Sequence, residues 1–134
     1  MVTRPHDAYV VFVSHSHRDR WIARQIARSL EDRGVATWLD EKRVDGGRVP
    51  DEVKRGIRAC DELCVLVSSA SLASDWVRHE IGAADVLDKR ITLLMDKLSV
   101  RDRPETWITM PALDLNEFER YAEDVKRRAE EEGS

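Results

Sequence analysis

AYVVFVSHSHRDRWIARQIARSLEDRG, residues 8–34, decides the architecture. Its first six residues are a continuous apolar run of strand length, the pattern of a strand buried on both faces. Ser16 to Asp19 (SHRD) matches a Ser-x-x-Asp capping box opening a helix. Ile22, Ile26 and Leu30 then recur every four residues, and Gly34 stands where a C′ glycine ends a helix. A doubly buried strand leading into an amphipathic helix is half of a parallel-sheet unit.

Outward from that stretch the alternation repeats. Residues 35–39 (VATWL) read as a second strand, and residues 40–48 as a polar loop holding Gly46-Gly47. Pro50 suits a first helical turn, with Asp51 and Glu52 at the positive helix end and Val53, Ile57 and Cys60 on its apolar face. Residues 63–67 (LCVLV) are a third strand, residues 68–74 (SSASLAS) a small-residue loop, and Ser74 caps a helix running to about Asp88. Residues 91–95 (ITLLM) make a fourth strand. Residues 96–110 have no clean period, and Pro104 and Trp107 mark them as irregular. Residues 112–115 (ALDL) give a brief fifth strand. A second capping-box pattern, Asn116 to Glu119, opens a last helix with Phe118, Tyr121, Val125 and Ala129 on one face. The expectation is an α/β fold: a single domain over residues 1–134, with its core at about 7–130 and a frayed tail at 131–134. It is a flavodoxin-like three-layer sandwich around a five-stranded parallel sheet of order 2-1-3-4-5. Ligands of such sheets bind outside the carboxyl ends of the strands, here residues 14–17, 39–48 and 68–76.

Composition narrows the function classes. Charged residues make up 36% of the 134, well above the roughly 25% usual in soluble proteins. The 22 Lys and Arg are interspersed with 26 Asp and Glu, net −4, which argues against a nucleic-acid partner. No apolar run approaches the roughly 20 residues of a membrane span, and the opening MVTRPHDAYV lacks a signal region, so a cytoplasmic location is expected. Cys60 and Cys64 have no second pair to complete a zinc site, and buried reduced thiols are the simpler reading. In so small a domain an active site is shallow, borrowed from loops, or completed by a second copy.

Glu80 is the most informative single residue. Trp76, Glu80, Ala84 and Asp88 share one helical face, bordering the core stripe of Val77, Ile81 and Ala84. An indole offers a stacking face to a cationic ring, and a neighbouring carboxylate stabilises developing positive charge. The plainer alternative is a solvated glutamate paired with Arg78 or Lys89, beside a tryptophan that anchors the helix. The Ser14-His15-Ser16-His17 run lacks further ligands for a His-x-His metal site, His6 and His79 being at unrelated positions. It also lacks the Gly-x-Ser-x-Gly elbow of a nucleophilic serine. Phosphate-loop and dinucleotide glycine motifs are absent. A phosphoacceptor receiver would need an Asp where the third strand ends in Ser68-Ser69.

Three blocks together resemble the Toll/interleukin-1 receptor (TIR) domain family, bacterial members in particular. VVFVSHSHRDR (residues 10–20) is similar to the first-strand signature: apolar strand, Ser, and an Asp opening the first helix. WLDEKRVDGGRVPDEVKRGI (residues 38–57) resembles the second strand, the acidic turn and the Gly-containing BB loop. SSASLASDWVRHEIGAA (residues 68–84) resembles the third-strand end followed by Ser-x-Trp-x-x-x-Glu. Order and spacing match across residues 7 to 130.

The resemblance implies one of two roles. Some TIR domains are interaction modules that recruit other TIR domains through the BB loop. Others cleave NAD at the nicotinamide–ribose bond, by hydrolysis or cyclisation, often in bacterial anti-phage or cell-death signalling. In the enzymatic members the Glu four residues after the Trp is catalytic, which carries over to Glu80. Trp76 falls near the nicotinamide riboside, and the BB loop onto residues 40–49. The implied substrate-binding set is Trp76, Ser14, His15, Trp38, Asp40, Gly46, Gly47 and Val49. Where some enzymatic members have an aromatic at the end of the BB loop, this chain has Val49. Where some have a basic residue after the first strand, it has Ser14 and His15. NAD is the implied substrate, with no cofactor and no metal, and self-association is expected to accompany activity.

Overall fold

The computed structural model describes residues 8–39, 51–98 and 100–132. Among them, strands β1 (Val10–Ser14), β2 (Ala36–Leu39), β3 (Glu62–Val67), β4 (Arg90–Met95) and β5 (Ala112–Asp114) form one sheet in the order β2-β1-β3-β4-β5. Every neighbouring pair is parallel. Helices α1 (Arg20–Asp32) and α5 (Phe118–Glu132) cover one face, and α2 (Asp51–Ala59) and α4 (Asp75–Val86) the other. The expected sheet order and three-layer architecture are those observed.

The strand period of two divides the core between the faces. Val11, Val13, Cys64, Leu66 and Leu94 meet Ala23, Ile26 and Leu30 of α1 and Tyr121, Ala122 and Val125 of α5. Val10, Phe12, Leu63, Val65, Val67, Leu93 and Met95 meet Val53 and Ile57 of α2 and Val77, Ile81 and Ala84 of α4. Burying each such large side chain stabilises the fold by roughly 1.5–3 kcal/mol before entropy is subtracted. Cys60 and Cys64 join opposite layers and are both free thiols.

Burial pushes the Cys60 thiol from 9.0 up to about 11 and the Cys64 thiol up to about 12. Neutral burial therefore contributes fully below pH 9.0. Above it the unfolded chain releases both protons while the folded chain holds them, so this contribution declines as pH rises through those values. Both thiols are expected to resist Ellman's reagent at pH 8 in the native protein and to react within mixing time in unfolding urea. Native reaction at the unfolded rate would contradict this burial.

Gly34 ends α1 with φ +83°, a backbone region costly for any residue with a Cβ. Its N–H bonds the Glu31 carbonyl at 3.0 Å and that of Val35 bonds Leu30 at 3.1 Å, the paired bonds of a Schellman motif. Gly56 has a different reason. A Cβ there would stand 2.6 Å from Cε2 of Trp38, whose ring stacks on Phe12 at 6.4 Å and 11°. Gly56→Ala is expected to cost about 1–3 kcal/mol through overpacking. A urea midpoint equal to that of the wild type would contradict the contact.

Several local readings need correction. Ser16 makes no capping bond to the backbone: residues His17–Asp19 form a 3-10 turn, and its hydroxyl donates to Asp19 instead. The loop at 68–74 contains a capped single turn, α3 (Ser69–Leu72). α4 stops at Val86, leaving Asp88 beyond it at φ +55° rather than on the Trp76–Glu80 face. The cap before α5 is Asp114, which accepts the Asn116 N–H at 2.8 Å and opens a 3-10 turn. α5 continues through Glu132, so residues 131 and 132 are helical rather than frayed.

Candidate active site

The crevice arises from connectivity. β1 is followed by α1 on one face of the sheet, while its neighbour β3 is followed by α4 on the other. The two connections diverge over the β1 and β3 ends, the switch point where doubly wound sheets take ligands. Ser14 is the last residue of β1 and alternates onto the α4 side with Val10 and Phe12.

Glu80 reaches that point from the second turn of α4. The helix is started by Ser74, whose Oγ accepts the Val77 N–H at 3.3 Å. It is held down by Val77, Ile81 and Ala84. Glu80 is 1% exposed and Ser14 equally so. The Ser14 Oγ donates to Glu80 Oε1 at 2.6 Å. The pairing with Arg78 or Lys89 is not what forms. Arg78 donates to the Leu72 carbonyl, and Lys89 to the carbonyls of Arg58 and Cys60. A fully buried glutamate is rare because desolvation opposes it. The bond from Ser14 to this acid contributes about 1.5–3 kcal/mol if the acid is charged.

Trp76 is half-buried and packs against the same core layer as α2 and α4. Trp38 lies on the Ser14 side of the sheet, paired in register with Phe12, with its ring against Phe12 and Gly56. His15 is buried, its Nδ1 3.4 Å from the Val13 carbonyl, whereas His17 is exposed and accepts from Arg20. The two histidines therefore do not converge as a His-x-His pair. Asp40, Gly46, Gly47 and Val49 lie outside the described residues, as does the turn around Pro50.

Two features escaped the sequence reading. Asp19 ties the β1–α1 turn to the end of β3, accepting from Ser68 Oγ at 2.5 Å and from Ser16 Oγ at 2.8 Å. At the opposite end of the sheet Glu62 is wholly buried and accepts from Tyr9, Tyr121 and twice from Arg128. Tyr121, Val125 and Arg128 sit at i, i+4 and i+7 of one helix. That spacing places an arginine on an apolar stripe, which was the available signal for a buried acid opposite.

Among the described residues no helix is long and apolar enough to cross a membrane, and no group of three or more His, Cys, Asp or Glu side chains is placed to hold a metal. The curated proteins include no match to the chain. Solved structures share the fold. A metazoan TIR-STING receptor from C. gigas aligns with TM-score 0.71 and 23% identity over 95% of this chain, which spans 41% of that receptor. The TIR domain of a Toll-related receptor from Hydra magnipapillata gives 0.66 and 18%, over 87% of this chain and 97% of that one. A CMP N-glycosidase from Clostridium botulinum gives 0.56 and 19%, over 87% and 97%. The family model described as TIR domain matches residues 11–128. That match runs from β1 into the last helix and takes in both the Ser14 end and the Glu80 helix, and the chain belongs to the TIR domain family.

Proposed function

We propose that this TIR domain cleaves the nicotinamide–ribose bond of NAD, with Glu80 as its catalytic carboxylate. The observation that carries the reading is the buried Glu80–Ser14 pair at the β1 end, Oγ to Oε1 at 2.6 Å. A buried acid among apolar neighbours is a local exception to the core pattern, and such exceptions concentrate at functional sites.

One carboxylate suffices for this reaction. The nicotinamide ring of NAD is a pyridinium, so when the bond from C1′ to the ring nitrogen breaks, the pair goes to nitrogen and nicotinamide leaves neutral. No general acid is needed, and the second carboxyl of ordinary glycoside hydrolysis has no task. The remaining task is to stabilise the oxocarbenium-like ribose, which Glu80 does directly or through the ribose hydroxyls. Water then bonds to C1′ and releases its proton, giving ADP-ribose. In the cyclising outcome an adenine nitrogen takes that place.

The fold shared with a CMP N-glycosidase makes a nucleotide N-glycosidic bond the second substrate to test. Cytosine departs as an anion unless protonated, so Glu80 would have to donate a proton and stabilise the cation in turn. NAD asks only the second. A cytoplasmic bacterial defence role and activation by self-association belong to the same proposal, since packing of copies would shield an open crevice from water. Incubation of concentrated protein with NAD or its etheno analogue, beside Glu80→Ala, tests the reading. Nicotinamide release by the wild type alone supports it. Equal release by both, or none from associated wild-type protein, overturns it.

A further inference from the structure

We propose that Asp19 is a positioning residue for Glu80, through a circuit of hydrogen bonds joining the two loops that frame the crevice. The inference rests on the Glu80 reading above and deepens it. The circuit starts in the β1–α1 turn, where the Asp19 N–H bonds the Ser16 carbonyl at 3.0 Å and Asp19 Oδ2 accepts from the Ser16 hydroxyl. The same oxygen accepts from Ser68 Oγ at 2.5 Å, across 49 positions of sequence. Ser68 also accepts the Ser71 N–H at 3.2 Å. Its own N–H bonds Ser71 Oγ at 2.6 Å, and that hydroxyl donates back to the Ser68 carbonyl at 3.1 Å. The Ser71 carbonyl takes the Ser74 N–H at 3.0 Å, and Ser74 Oγ takes that of Val77. One helical turn on, Glu80 returns to β1 through Ser14.

Each link constrains the next. Ser14 fixes the carboxylate from the strand, while Asp19 fixes the base of the helix that carries it. β1 and β3 pair in the sheet, but α1 and α4 lie on opposite faces of it, so the turns leading to them diverge where the ladder ends, and a side chain that bonds both holds them together. Asp19 does so, and a carboxylate oxygen is suited to accept from two hydroxyls at once. The run SSASLAS is thereby a relay of bonds around a single helical turn: its serines at 68, 71 and 74 make the successive bonds. Catalytic groups must be held within about 0.5 Å of their productive positions.

The test compares wild type, Glu80→Gln, Asp19→Ala, Asp19→Asn and Ser68→Ala. Asp19→Ala and Ser68→Ala are expected to lower kcat for nicotinamide release about 10-fold or more, misplacements of 1 Å costing up to about 10²-fold. KM should stay within about twofold, because these residues do not touch the substrate, and Asp19→Asn, which keeps one acceptor oxygen, should recover part of the loss. The double variant Asp19→Ala/Ser68→Ala should be no slower than either single, since both cut one link. Amide exchange supplies a readout without substrate: the Val77 N–H should exchange faster in both single variants while β3 and β4 amides do not. Glu80→Gln as active as wild type sinks the NAD reading. An active wild type, an inactive Glu80→Gln and unchanged kcat in both Asp19→Ala and Ser68→Ala sink only the positioning role, as does unchanged Val77 exchange. If Asp19→Ala does not fold, Ser68→Ala decides alone, because it leaves the Asp19–Ser16 bond in place.

Discussion

Glu80→Gln is expected to lower the rate of nicotinamide release from NAD by about 10²–10³-fold or more, the usual cost of removing a group aimed at transition-state charge. Glutamine has nearly the volume of glutamate, and its amide oxygen can still accept from Ser14 Oγ, so the α4 contacts survive. What disappears is the capacity to carry full negative charge opposite the ribose as C1′ becomes cationic. Loss of an interaction made only in the transition state lowers kcat and kcat/KM together. The stability of the fold should move the other way or not at all, since a neutral amide is easier to bury than a carboxylate. Initial rates over a range of NAD concentrations, read beside thermal unfolding, check both halves. A variant that loses activity only in proportion to lost folded protein would return Glu80 to a structural role.

The parts of this site legible in sequence are those with local spacing. Trp76 and Glu80 are four apart, so one helical face carries both whatever the rest of the chain does. The depth of Glu80 was not legible, because it depends on Ser14, 66 positions away, which adjacency along the chain does not reveal. α3 was missed for a different reason. Four residues are too few for helical periodicity to register, and its capping Ser-x-x-Ser reads equally well as a flexible turn. The Ser16–Asp19 pattern misled because the motif assumes that both side chains turn to the backbone. Here Asp19 has a competing partner in Ser68, supplied only when β1 and β3 pair. The sheet itself was legible because β1, β3 and β4 are buried on both faces and read as nearly continuous apolar runs, which side-chain partners elsewhere do not alter.

Glu62 is the other buried acid, and its removal is expected to be the most damaging substitution to the fold. It opens β3, where the sequence shows only an acid flanking an apolar run, and it is closed in by partners from both ends of the chain. Tyr9 donates to Oε2 at 2.6 Å and Tyr121 to Oε1 at 2.8 Å. Arg128 spans both oxygens at 2.9 Å, the bidentate arrangement that a guanidinium favours. Burial, reinforced by Glu62, raises both phenols above their ordinary range. Burial alone would lower Arg128, but the bonds from Glu62 and Tyr9 overcome it and hold it above its usual value. Glu62→Ala strands that cation and both hydroxyls, and breaking a buried pair on one side commonly costs about 3–5 kcal/mol. Against a total stability of about 5–15 kcal/mol, that is a large share of the margin that keeps the protein folded. The loss should fall on the docking of α5, which Tyr121 and Arg128 fasten to the sheet. Replacing both members, Glu62→Met with Arg128→Met, should recover a large part of it, because an apolar pair leaves no charge without a counterpart. Urea unfolding at pH 7 distinguishes the cases. If Glu62→Ala costs under about 1 kcal/mol, the figure for an exposed pair, the cluster is wetter than its geometry implies. If the double variant is no more stable than the single, the two tyrosine hydroxyls, rather than the Arg128 cation, carry the cost of losing Glu62.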